Sequence, residues 1–185
     1  MLQLDPEHID LEKIHQGDKN EFEKLYRRFC QSLILFANKY VYKLDIAENI
    51  VQDVFVNIWQ NRTTLDPTCN IKTYLFTSVK NHALNYIKRQ RIERRYKETI
   101  VIDERNDQTP EIQYNLNELE VQINKTVEKL PEKRRIIFLM SRQDHLTYAE
   151  IAEVLGISVK TVENQMGKAL KTLRSYLSNF ISLIV

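Results

Sequence analysis

Lys160, Thr161, Glu163, Asn164, Lys168 and Lys171 share one side of a helix that would begin just after Ser158. Lys and Asn can read base edges in a major groove, and Glu can accept from cytosine. The Lys residues further along the helix suit phosphates. A second side, with Lys80, Asn81, Leu84, Asn85 and Lys88, lies off the apolar stripe of an earlier helix. Catalytic chemistry finds much less. His8, His15, His82 and His145 are scattered, without HExxH or paired spacing for zinc. There is no Gly-rich phosphate loop and no nucleophile elbow, so no catalytic residue, metal or cofactor is expected. Cys30 and Cys69 lie far from any CxxC spacing, which argues against a disulfide framework or a cysteine zinc site.

The elements that must position these side chains can be read from spacing and capping. Asp18 followed by Glu21 forms a capping box, and Phe22, Leu25, Tyr26, Phe29, Leu33 and Phe36 recur at helical spacing, predicting a helix from Lys19 to Tyr42. Asp45 with Glu48 caps a second, whose stripe is Ile46, Ile50, Val54, Phe55 and Ile58 and which stops near Asn61. After a polar loop, Arg62–Asn70, a third helix is expected from Ile71 to Arg91, burying Ile71, Leu75, Val79, Ala83 and Tyr86. The segment from Tyr96 to Tyr114 has no sustained helical period and reads as a linker. Helices resume over Leu116–Leu130 and restart at Pro131, which suits a first helical position.

Thr147 and Glu150 make a capping box that opens a short helix to Leu155. Gly156 supplies a left-handed corner, and Ser158 caps a helix from Val159 to Leu177. Small Ala152 lets the two helices approach, and Val162 locks the second one inside. Ile151, Leu155, Ile157, Met166, Ala169, Leu170 and Leu173 complete the expected core. This is a helix-turn-helix pattern, although a plain helical hairpin shares much of it.

Charge is segregated. The net charge of +2 hides eight Lys or Arg against Glu93 between Asn70 and Lys97, then seven acids against Arg105 between Glu98 and Glu120. A second basic run follows at Lys160, Lys168, Lys171 and Arg174. Two basic elements on either side of an acidic segment resemble two polyanion-binding modules. With 185 residues, the chain suits one large domain or two small ones. Three Gly and four Pro are too few for the turns of an all-β fold, and 43% apolar content argues against wholesale disorder. The fold class expected is all-α, as two small helical bundles divided into residues 1–95, a linker 96–114, and 115–185. The start, MLQLDPEHID, lacks a signal-peptide pattern, and no run of eighteen apolar residues occurs, so no membrane insertion is expected. The tail ending FISLIV is too short to span a bilayer.

The stretch Leu130–Arg174, LPEKRRIIFLMSRQDHLTYAEIAEVLGISVKTVENQMGKALKTLR, resembles region four of a bacterial RNA polymerase sigma factor. Alone it equally resembles a response-regulator DNA-binding domain. DIAENIVQDVFVNIW (Asp45–Trp59), followed by NIKTYLFTSVKNHALNYIKRQR (Asn70–Arg91), is similar to sigma region two. Together they resemble the extracytoplasmic-function group of sigma factors, which keep only these two domains. The resemblance implies a cytoplasmic, non-catalytic subunit that binds core RNA polymerase, recognises promoter DNA and helps to melt it. The helix matching Asp45–Trp59 would dock on the polymerase clamp through Glu48, Asn49, Gln52, Asp53 and Asn57, with Asn49 where the family has an acid. The loop Arg62–Asn70 would catch a base flipped from the minus-ten element. Lys72, Lys80, Asn81, Asn85, Lys88 and Arg89 would contact the same element. Phe76 is the expected stacking residue, while Tyr74, where the family has Trp, is assigned to the core. The minus-thirty-five contacts would fall on Ser158, Lys160, Thr161, Glu163, Asn164, Lys168 and Lys171. The resemblance also implies an anti-sigma factor as partner, often membrane-bound. Two rival readings stay open: a helix-turn-helix regulator that never touches polymerase, and a helical module whose basic faces bind RNA or an acidic protein.

Overall fold

The structure is a computed structural model that describes residues 9–97 and 125–184, with side chains described over 9–93 and 125–176. Among the described residues it is helical, without strands. Two compact units divide the chain, Met1–Asp103 and Glu104–Val185. The first unit contains α1 (Leu11–His15), α2 (Lys19–Val41), α3 (Leu44–Gln60), a 3-10 turn (Arg62–Thr64) and α4 (Ile71–Lys97). The second contains helical residues 125–128, α5 (Glu132–Arg142), α6 (Tyr148–Leu155) and α7 (Val159–Ile184). Tyr96 and Lys97 close α4, which runs six residues past the expected Arg91 because Arg91–Lys97 holds no helix breaker. Most of the expected linker, and the tail's side chains beyond Tyr176, lie outside the described residues.

In the first unit, α2 packs against both α3 and α4. Phe36, fully buried on α2, meets Phe76 of α4 edge-on, with ring centroids 4.9 Å apart. Phe22 and Tyr26 of α2 meet Phe55 and Trp59 of α3 in edge-on or tilted pairs. Such pairs contribute about 0.5–1.5 kcal/mol each beyond the area they bury. Leu25, Leu33, Val51, Val54, Leu75 and Val79 fill the space between. Ala47 and Val51 join the α3 stripe in place of Ile46, which is only half-buried.

Two expected caps take another form. Asp18 does cap α2, its carboxylate accepting from the Asn20 and Glu21 amides at 2.8 and 3.1 Å. The reciprocal half is absent, because the Asp18 amide already donates to the Lys13 carbonyl at 2.9 Å. Glu21 instead accepts the Asp10 amide at 3.0 Å and pairs with Lys24, tying α1 to α2. Helix α3 starts at Leu44 after an N-cap at Lys43 that makes no side-chain bond, so Asp45 sits in the first turn. There its charge still favours the positive end of the helix dipole. Pro131 is the N-cap of α5, not its first residue.

In the second unit α5, α6 and α7 pack pairwise around Ile136, Met140, Leu146, Ile151, Val154, Val162, Met166, Ala169 and Leu173. The Thr147–Glu150 box is reciprocal: the Thr147 hydroxyl accepts from the Glu150 amide, and the Glu150 carboxylate accepts from the Thr147 amide at 2.8 Å. Gly156 turns the corner at φ 67° with its amide bonded back into α6, a conformation costing a side-chain-bearing residue about 1–2 kcal/mol. The Ser158 hydroxyl accepts from the Thr161 amide at 3.1 Å, and α7 runs on to Ile184. Leu170, expected in the core, is exposed. The buried spacing 162, 166, 169, 173 leaves it at the flank of the stripe.

Glu21 gives a pH signature. The Asp10 amide, and then Lys24, hold its carboxyl below the usual 4.5 against the opposing effect of burial. A lowered folded value means stability that is present above about pH 4.5 and is lost as pH falls through the folded value. Urea denaturation across pH 7 to 3 is expected to show that loss in the native protein. Glu21→Gln should be less stable at pH 7 and should show a shallower fall.

Candidate nucleic-acid interface

The outward side of α7 carries every residue expected there. Ser158, Lys160, Thr161, Glu163, Asn164, Lys168 and Lys171 are all exposed. The buried Val162, Met166 and Ala169 on the opposite side press α7 onto α5 and α6, which fixes its rotation. Lys160 pairs with Glu163 at 3.2 Å, and the Ser158 and Thr161 hydroxyls are 2.9 Å apart. The first turn of α7 thus presents donors and acceptors held by local bonds, with Lys168 and Lys171 two and three turns further along.

In the first unit, α4 and the loop after α3 border two clefts. One, of about 230 Å³, is lined by Val54, Asn57 and Ile58 of α3 and by Tyr74, Ser78, Asn81, His82 and Asn85 of α4. The other, of about 260 Å³, is lined by Ile58, Asn61, Thr64, Leu65, Asp66, Cys69 and Tyr74. The expected residues Asn81 and Asn85 therefore share a cleft, while Lys88 and Arg89 are exposed further along α4. Lys80 is half-buried, and burial lowers the pKa of its ammonium. Lys72 lines a separate hollow with Arg28, Phe29 and Cys69.

The two aromatics exchange the burial expected of them. Phe76 is 1% exposed and packs on Phe36, so it has no free face for a base. Tyr74 is 43% exposed and lines both clefts. The reason is rotational: Leu75, Phe76, Val79 and Ala83 set the buried side of α4, leaving Tyr74 beside Ser78, Asn81 and Asn85. Ser78 and His82 line the cleft without having been expected there; the usable signal is their spacing from Asn81 and Asn85.

Glu48, Asn49, Gln52, Asp53 and Asn57 are exposed along α3, with Val56 exposed among them. Asn57 also lines the α3–α4 cleft, and the Asn61 side-chain amide donates to its carbonyl and side-chain oxygens. The loop has its own geometry. Asp66 accepts from the Thr68 amide at 2.8 Å and hydroxyl at 2.7 Å, bonds that hold its carboxyl below its usual range. Burial, then the neighbouring Asp66 charge, pushes the Cys69 thiol up, which disfavours a reactive thiolate. Among the described residues no group of three or more His, Cys, Asp or Glu could hold a metal ion, and no helix is long and apolar enough to cross a membrane.

Family models match both units: Sigma-70 region 2 over residues 25–92 and Sigma-70, region 4 over residues 120–173. The ECF RNA polymerase sigma-E factor of Haemophilus influenzae is 27% identical over 86% of this chain and 88% of its own length. The ferric citrate uptake sigma factor FecI of Escherichia coli is 28% identical over 81% of this chain and 87% of its own length. Among solved structures, the sigma factor RpoE of Bartonella quintana, in complex with the anti-sigma factor NepR, has a TM-score of 0.64 at 21% identity, covering 86% of this chain and 98% of that one. CnrH, in complex with the cytosolic domain of CnrY, has a TM-score of 0.63 at 22% identity, covering 95% and 99%. With both regions matched over about two thirds of its length, this chain belongs to the sigma-70 family of RNA polymerase sigma factors, in the extracytoplasmic-function group.

The exchange of burial between the two aromatics has a measurable outcome. Phe76→Ala should destabilise the first unit by about 3–5 kcal/mol in chemical denaturation. Tyr74→Ala should cost less than about 1 kcal/mol, as for an exposed side chain.

Proposed function

We infer that this chain is a promoter-specificity subunit of bacterial RNA polymerase, acting in the cytoplasm without catalysis of its own. It binds core enzyme and directs initiation at the promoters it recognises. The carrying observation is that one chain matches both a region 2 and a region 4, while most of the helix expected over Leu116–Leu130 lies outside the described residues. A regulator independent of polymerase would account for the second unit alone. Residues 1–95, with α4 running on to Lys97, would then serve polymerase binding and the minus-ten element, and residues 115–185 the minus-thirty-five element, with the linker beginning after Lys97.

Exposure and cleft lining support the following side-chain roles in this reading. Glu48, Asn49, Gln52, Asp53 and Asn57 form the polymerase-docking side of α3, where the exposed Val56 adds an apolar contact. Asn81 and Asn85 face DNA from the α3–α4 cleft, Lys72, Lys80, Lys88 and Arg89 supply positive charge, and Tyr74 replaces Phe76 as the aromatic available for stacking. The cleft beside Thr64, Leu65 and Asp66 receives the flipped base. On α7, Lys160, Thr161, Glu163 and Asn164 read base edges, while Ser158, Lys168 and Lys171 anchor the backbone. An anti-sigma factor is a fitting partner. RpoE is solved with one, and CnrH with the cytosolic domain of CnrY.

In vitro transcription with purified core polymerase and a promoter library tests this reading. Initiation from a subset sharing two spaced motifs is expected. No initiation, together with specific DNA binding by the protein alone, would make it a free-standing regulator. In the same assay Lys160→Ala and Asn164→Ala should each cost about 1–3 kcal/mol at particular base pairs. Uniform weakening across sequences would mark them as phosphate contacts instead.

A further inference from the structure

We propose that α1 braces the loop that receives the flipped base, with His15 as a positioning residue for promoter opening. The proposal rests on the reading of that loop given above. The loop needs support from outside. It begins with a single 3-10 turn, a marginal structure by itself, and of residues 61–70 only Leu65 is buried. Its internal bonds are short-range: Thr64 Oγ1 donates to the Asn61 carbonyl at 2.8 Å, and Asp66 holds Thr68. Neither of these bonds reaches beyond the loop, and Arg62 ties only its start to Trp59 of α3.

His15 ties the loop to α1 across 48 residues of sequence, its Nε2 lying 3.0 Å from the Thr63 carbonyl oxygen. A carbonyl can only accept, so Nε2 carries the proton and donates. The imidazolium can make the same bond, so the brace does not require one charge state. Beside it, the α1–α2 corner at Gly17, φ 92°, lies against the Arg62 guanidinium, where a Cβ would come within 3.5 Å of Nε. Arg62 stacks over Trp59 at 4.6 Å and donates to the Trp59 carbonyl at 2.8 Å. Trp59 in turn packs on Phe22 of α2.

The brace is anchored at its other end. Helix α1 has five residues, too few to persist alone, and is held by buried Leu11 and Ile14 and by the Asp10 amide on Glu21. A continuous chain of contacts therefore runs from Glu21 through Asp10 and α1 to Thr63. Holding the loop in shape before a base arrives lowers the ordering cost of capturing that base.

The test uses the full chain with core polymerase, on a promoter selected from the transcription library that carries a fluorescent base analogue in the minus-ten element. His15→Ala should slow or weaken opening of duplex promoter by about threefold to tenfold, the value of one hydrogen bond. His15→Gln, whose amide places an N–H at a similar reach, should restore it. A promoter that is abasic at the captured position, which leaves the loop no base to hold, should remove the difference between all three proteins. Thr64→Trp, which fills the base cleft, provides the reference defect. If Thr64→Trp blocks opening while His15→Ala matches the native protein, the brace is wrong and the base cleft stands. If neither variant affects opening, the reading of the cleft itself fails. A His15→Ala defect that persists on the abasic promoter, or that His15→Gln does not relieve, would also overturn the proposal by assigning His15 a general structural role.

Discussion

The edge-on packing of Phe76 against Phe36 sets the rotation of α4, and the exposed side of the first unit depends on that rotation. Residues in a helix are about 100° apart, so a register shift of one residue would carry Tyr74, Asn81 and Asn85 away from the cleft they share. The same α2 that carries Phe36 also presents Phe22 and Tyr26 to Phe55 and Trp59, which sets the rotation of α3. One helix thus orients two working sides: the polar row of α3 proposed to meet polymerase, and the α4 side proposed to meet DNA. The two adjoin at Asn57, which is exposed on α3 yet lines the cleft with Asn81.

The second unit solves a smaller version of the problem by local means. Its corner is specified by a reciprocal box at Thr147 and Glu150, a glycine at φ 67° and a serine cap, all within about a dozen residues. Buried Ala152 lets α6 approach α7, and Val162 and Met166 decide which side of α7 faces out. Because capping, corner and apolar spacing agree, the presentation of Lys160 and Asn164 follows from the sequence with little help from distant contacts.

That contrast decides how much of the fold is legible in the residues themselves. Spacing and capping place helix α2 to within a residue, and they give the helix-turn-helix corner with its cap residues in their roles. The departures from expectation at Glu21 and Phe76 share one cause, a partner far away in sequence. Glu21 has the spacing of half a capping box, but its carboxylate is taken by Asp10, which only the fold of α1 brings near. Phe76 and Tyr74 are two residues apart in an apolar-rich stretch, and Phe36 on another helix makes the choice between them. Leu170 differs: its type suggests the interior, whereas the 162–166–169–173 spacing puts it at the edge. The charged and amide side chains on α7 and along α3 are exposed as their sequence positions imply, because polar residues off an apolar stripe leave few alternatives.

Sequence recognition, on this account, belongs to the protein together with core polymerase, with the α3 side joining the two. The most direct measurement is the equilibrium affinity of this protein for a selected promoter, by fluorescence anisotropy at fixed salt, with and without saturating core polymerase. Weak, largely sequence-independent binding is expected from the protein alone. Strong preference for the selected promoter is expected only with core enzyme present, and should be lost on charge reversal at Glu48 and Asp53. Tight, sequence-specific binding by the protein alone, unchanged by core polymerase, would contradict it.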